Sequence, residues 1–209
     1  MSTSSITRWA SVTSITASVL IVLSQALRLG IGLTIESEPS ALHTSSYALA
    51  LLGMCALLLA LTTLYAHGCS RAGRLGLTGY LLAFVGTTLV AGDWWFEAFI
   101  VPTIATKAPD VLTQTPSGSL LTGAIATVGL YTIGWLLFGL ATFRADTAPR
   151  PAAALLIIGG LLGPLALTTP YQIPLAVAVG WIGYSITPPH GGQRIVPAHD
   201  GPTRPDISS

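Results

Sequence analysis

LGLTGYLLAFVGTTLVAGDWWFEAFIV, residues 75 to 101, decides the class of this protein before any motif is considered. No basic residue interrupts it, and about 20 mainly apolar residues are enough for a helix to cross the hydrocarbon core of a bilayer. Comparable runs lie near residues 12–34, 45–66 and 119–143. Residues 152–187 form a further apolar stretch broken by Pro164, Pro170 and Pro174. A turn at TTPYQIP divides it into spans at 152–168 and 172–187, with a re-entrant hairpin as the alternative. The expected fold is therefore all-α: an integral membrane bundle of about six transmembrane helices, one domain over residues 1–187. The tail from Pro188, PPHGGQRIVPAHDGPTRPDISS, is rich in Pro, Gly and polar residues and is expected to be a disordered cytoplasmic segment.

Composition points the same way. Of 209 residues 51% are hydrophobic and only 8% charged, against about 25% charged in ordinary soluble domains. A formal net charge of +1 gives no general attraction to nucleic acid. Cys55 and Cys69 have no metal-ligand spacing and cannot form a disulfide framework. Arginine outnumbers lysine, whose one example is Lys107, and Ala, Gly, Leu and Thr abound. That usage suits a GC-rich bacterial genome and, with the spans, a bacterial cytoplasmic membrane.

Orientation follows from the basic residues. Arg8 precedes the first span, Arg71 and Arg74 lie between the second and third, Arg144 and Arg150 between the fourth and fifth, and Arg194 and Arg204 in the tail. The excess of Lys and Arg marks the cytoplasmic side, so both termini are expected there. The opposite side receives TIESEPSALHT and TKAPDVLTQTPSG. A rival reading takes SQA at 24–26 as a signal-peptide cleavage site, but the apolar run continues to Ile35 and is long enough to span.

Two carboxylates interrupt the opening stretch. Asp93 and Glu97 are four apart and share a helix face that runs back through Val90, Gly86, Ala83 and Gly79. Small residues on one face of a membrane helix mark a packing face, so the acids are expected to point into the bundle and Trp95 toward lipid or the interface. In the first span Ser14, Ser18, Ile21, Gln25, Arg28 and Gly32 draw a seam that is largely polar or small. Arg28 lies about 9 Å and Gln25 about 14 Å below the end of that span, and Glu97 and Asp93 about 8 and 14 Å below the end of the third, from the 1.5 Å helical rise. Charges at such depth usually face one another or a watery cavity. Arg28 is therefore expected to meet Glu97, Asp93 or both. One arginine cannot neutralise two carboxylates, which leaves one acid as a candidate proton donor or acceptor.

Gln25, Trp94, Tyr131, Trp135 and Tyr171 are the supporting candidates, with His43, Tyr47, Thr122 and Gln172 at the same level. Neither HExxH nor a His/Cys cluster suggests a metal, and no Gly-rich phosphate loop precedes a helix. No DDxxD-like run is present to ionise a diphosphate with Mg²⁺, and no GxSxG elbow marks a serine hydrolase. Chemistry, if any, is acid–base, with no cofactor and no metal.

The segment GDWWFEAFIVP in a small multi-spanning chain resembles the membrane-integral terpene cyclases of meroterpenoid and indole-terpenoid biosynthesis. The resemblance implies a small all-helical enzyme that folds a prenyl chain and starts cyclisation by protonation, with Glu97 as one acidic residue of the site. That family's pattern has about seven spans and a second carboxylate late in the chain. Here nothing acidic occurs between Asp146 and Asp200, so Asp93 would have to supply the second acid.

Three readings stay open on the sequence. The charges are interhelical glue in a structural membrane protein; or they serve an enzyme acting on an apolar small-molecule or lipid substrate, such as a cyclase or isomerase of a prenylated compound; or they mark the route of a small proton-coupled carrier or channel, whose missing half a homo-oligomer would supply.

Overall fold

A computed structural model describes residues 3–31, 41–115, 117–165 and 170–187. Residues 32–40, which hold most of TIESEPSALHT, and the tail from 188, expected to be disordered, lie outside the described residues. Eight α-helices and no strand occur among those described: α1 Thr3–Ile31, α2 Ala41–His67, α3 Gly73–Phe99, α4 Val101–Lys107, α5 Pro109–Leu112, α6 Gly118–Arg144, α7 Arg150–Leu161 and α8 Ile173–Ser185. Helices α1, α2, α3 and α6 are long and apolar enough to cross a membrane. Each of α2, α3 and α6 has 27 residues, about 40 Å of helix. Large apolar side chains such as Val19, Leu52, Leu59, Leu81, Val85, Ile133 and Trp181 stand exposed around the outside. A helix that is hydrophobic all round belongs in a membrane or a large core.

Proline sets several boundaries. Helix α3 ends at Phe99 and the chain resumes as α4 at Val101, because Pro102 has no N–H to continue the ladder. The sequence reading placed a loop at TKAPDVLTQTPSG, residues 106–118; α4 and α5 are two short helices that reach into it, with no buried residue in either. Helix α7 starts with Pro151 in its first turn, where a missing N–H costs nothing. It stops at Leu161, followed by a single 3-10 turn over Gly163–Leu165 that contains Pro164. Helices α7 and α8, with 12 and 13 residues, are about 18 and 20 Å long, short of the roughly 30 Å hydrocarbon thickness. The apolar stretch read as two spans is therefore a short helical hairpin.

Six helices form a closed ring: α1 packs on α2, α2 on α3, α3 on α6, α6 on α7, α7 on α8, and α8 back on α1. Glycines allow the close approach at five of these six contacts, all but α2 on α3, as expected where helices meet in lipid. A Cβ added to Gly53 of α2 would press on Ile21 of α1, one on Gly79 of α3 on the Phe138 backbone of α6, and one on Gly160 of α7 on the Leu136 backbone. One on Gly159 would strike Leu175 of α8, and one on Gly183 of α8 would strike Ser14 of α1. Within the ring Trp94, Trp135, Tyr131, Phe138, Met54, Leu57, Leu61 and Leu156 are fully buried.

Among the described residues the hairpin runs to Leu165 and resumes at Pro170. Gly163, at its described top, packs against Thr132 of α6, and Gln172, just before α8, bonds Gln25 of α1. At the far end of α6 from Arg144, every residue from 117 to 126 is exposed. Arg8, Arg71, Arg74, Arg144 and Arg150 all lie at the other end of the bundle, by the run of the helices that carry them.

Candidate functional site

The stripe Gly79, Ala83, Gly86 and Val90 on α3 is buried. Its lower part packs on α6: Gly79 against Phe138, Ala83 against Gly134, Gly86 against Tyr131. Continued upward, that antiparallel register would set Asp93 and Glu97 opposite Ala124 and Leu120. Both of those residues are exposed, Leu120 to 66%, so the two helices have parted there. The acids thus occupy the stripe at the height where α6 no longer covers it. Each is half-buried.

Arg28, near the end of α1, reaches the same level. Its Nη2 donates to the Tyr47 hydroxyl of α2 at 3.3 Å. Its guanidinium carbon lies 4.6 Å from the centre of the Tyr47 ring and 4.8 Å from that of Trp94. A guanidinium against aromatic faces gains roughly 0.5–2 kcal/mol, more as water is excluded. The His43 and Tyr47 rings meet tilted, with centres 4.6 Å apart, and Tyr47 and Trp94 likewise at 5.5 Å. The His43 ring also approaches the Glu97 backbone.

The salt bridge expected between Arg28 and the acids takes a different form. Among the described residues no ion pair within 4.0 Å joins them; the one present links Arg150 to Asp146, 3.7 Å apart and largely exposed. Arg28 acts on Asp93 and Glu97 through space, and Asp93 acts on Glu97. The aromatic pair Tyr47 and Trp94 stands where the sequence reading put a carboxylate. Trp95, one residue on, is exposed.

The other candidates are divided between two places. Gln25, one turn below Arg28 on α1, is fully buried, and its Nε2 donates to Gln172 Oε1 at 3.1 Å. Tyr171 is exposed on the turn before α8, while its neighbour Gln172 points inward. Tyr131 and Trp135 are buried lower in the ring, where Trp135 Nε1 donates to Thr87 Oγ1 at 3.0 Å. They pack against α3 around Gly86 and Thr87, about two turns below Asp93. Thr122 lies on the exposed part of α6. Tyr47 and His43 had only their position at a span end to single them out. The inward turn of Gln172 had no periodic signal at all, because it precedes its helix.

Chemically, the cluster offers two carboxylates that can exchange a proton, a cation fixed beside them, and aromatic faces. Among the described residues no three His, Cys, Asp or Glu side chains gather as they would around a metal ion. The best-formed cavity among those residues, about 10 Å³, lies at the basic end between Leu64, His67, Phe138, Thr142 and Ile182, with room for about one water molecule. Comparison with family models, curated proteins and solved structures gave no match for this chain.

Proposed function

We propose that this chain is an integral protein of the bacterial cytoplasmic membrane, with four full spans, the α7–α8 hairpin entering from the cytoplasmic end, and both termini cytoplasmic. Its Asp93–Glu97 pair protonates an apolar, prenylated substrate that stays in the bilayer. The observation that carries this reading is the placement of both carboxylates on the α3 stripe at the height where α6 leaves it. A group arriving from lipid can approach them there without crossing the packed ring.

The step needs no metal and no cofactor. One carboxylic acid gives its proton to a carbon of an alkene, and the adjacent carbon becomes cationic. Bond migration or ring closure follows, and a carboxylate then removes a proton, so the product is an isomer and the acid is restored. Aromatic side chains stabilise a passing cation, and Trp94, Phe96 and Phe99 stand on the acids' own stretch of α3. Arg28 holds whichever partner is ionised.

The test is turnover in D₂O by protein in nanodiscs supplied with prenylated phenols and quinols. Deuterium should enter a product of unchanged skeleton composition, and Asp93→Asn and Glu97→Gln should each abolish it. Turnover retained in both folded variants overturns the mechanism. A structural reading, in which the charges join α1, α2 and α3, is favoured by the filled ring interior; it requires that no substrate turn over and that loss of either acid lower thermal stability alone. A carrier would instead show proton-linked uptake into liposomes.

A further inference from the structure

Gln25 and Gln172 make one hydrogen bond and leave a matched pair of groups unused. Gln25 Nε2 donates to Gln172 Oε1 at 3.1 Å. Gln25 Oε1, which can only accept, and Gln172 Nε2, which can only donate, are buried with no hydrogen-bond partner. Both side chains are within 1% of complete burial. Inside a membrane bundle no bulk water can satisfy them, and a buried polar group without a partner is costly. Two mutually bonded amides with one acceptor and one donor left over call for a third group that donates to the first and accepts from the second. A hydroxyl does both.

The surroundings narrow the choice further. Gln25 is three residues before Arg28, so the amides lie one helical turn beneath the guanidinium on the same face of α1. Arg28 one turn above them disfavours an ammonium group, and two neutral amides do not compensate the charge of a buried carboxylate or phosphate. A neutral hydroxyl meets neither objection. Gln172 stands at the start of α8, and the part of α6 over residues 117–126 is exposed. A chain attached to the hydroxyl can leave along that side into lipid.

We infer that the Gln25–Gln172 pair is a hydroxyl-binding subsite, filled by the head of a neutral membrane alcohol or by a single water molecule. With an alcohol in place, its hydroxyl anchors the molecule one turn beneath Arg28 and sets which carbon of the chain the acids reach. In that respect the inference rests on the proposed acid–base reading, but occupancy of the subsite does not.

Binding is therefore measured without turnover. Thermal unfolding of the full-length protein in nanodiscs is followed with added dodecanol and with dodecyl methyl ether, which cannot donate a hydrogen bond. Dodecanol should raise the midpoint on the order of 5 °C at saturation, the ether should not, and the Gln25→Leu/Gln172→Leu double variant should lose the response. That result assigns the subsite to an alcohol. A high-resolution structure of the wild-type protein without additive decides the second source and needs no variant to fold. Density for one water bonded to both amides, with no response to dodecanol, assigns the subsite to water. Neither a dodecanol response nor such density overturns the inference. Loss of turnover in Asp93→Asn with the dodecanol response intact separates the two proposals.

Discussion

The Arg28 guanidinium carbon stands 4.8 Å from the centre of the Trp94 ring, and the Tyr47 ring flanks it at 4.6 Å. Stacking of this kind uses the flat face of the guanidinium, which an ammonium group cannot reproduce. Arg28→Lys should therefore cost about 1 kcal/mol even though the charge is kept. The thermal midpoint in nanodiscs should fall by about 3 °C. Trp94→Phe, which keeps an aromatic face and removes an indole N–H that has no partner, should cost less than Trp94→Leu. An unchanged midpoint in Arg28→Lys would show that the rings contribute nothing beyond contact.

Gly134 of α6 is buried against the Ala83 backbone of α3, and a Cβ there would overlap it. The Ala83 and Leu82 atoms it would meet belong to the backbone, which cannot swing aside as the end of a long side chain can. Gly134→Val should push α3 and α6 apart and cost more than about 2 kcal/mol, seen as lost yield of folded protein. At Gly92 nothing lies within 4 Å of an added Cβ. Gly92→Ala should stabilise by about 0.5–1 kcal/mol through helix propensity alone. Equal effects at the two positions would contradict the packing described.

How far the sequence could be read depended on whether the signal was local. The stripe from Gly79 to Glu97 was legible because helical spacing fixes a shared face, and Trp95 turns outward for the same reason. The seam of Ser14, Ser18, Gln25 and Arg28 was legible as a face, but its neighbour was not. The polar positions Ser11, Ser14, Ser18 and Gln25 meet Thr187, Gly183, Gly180 and Gln172, in and around α8 at the far end of the chain. Only Arg28 reaches toward α3. Periodicity says which side of a helix is buried, and closure of the ring by α8 decides against what. Composition alone does not show where α7 ends, because the apolar run continues past Pro164 while the regular α-helix stops at Leu161.

Clustering of Arg71, Arg74, Arg144 and Arg150 at one end of the bundle predicts the orientation, since short basic loops stay cytoplasmic. In a background with Cys55 and Cys69 replaced by alanine, Ser117→Cys should react with a membrane-impermeant maleimide in intact cells. Arg74→Cys should react only after permeabilisation. The reverse pattern would invert the topology and place the acid cluster toward the cytoplasm.

Deep in the ring, Trp135 Nε1 donates to Thr87 Oγ1 at 3.0 Å, and both residues are fully buried. Thr87→Val keeps the volume and removes the acceptor, so the indole N–H is left without a partner at a cost of about 1–3 kcal/mol. Trp135→Phe removes the donor together with part of the ring. The Thr87 hydroxyl then has the Ala83 carbonyl four residues back, as Thr142 uses that of Phe138 at 2.8 Å. Its loss is therefore mainly one of packing. The double variant has no orphaned indole, so the two single costs should sum to about 1 kcal/mol more than the double. Purely additive costs in reversible unfolding would mean that the hydrogen bond joining α3 to α6 contributes no net stability, leaving that interface to the small-residue contacts alone.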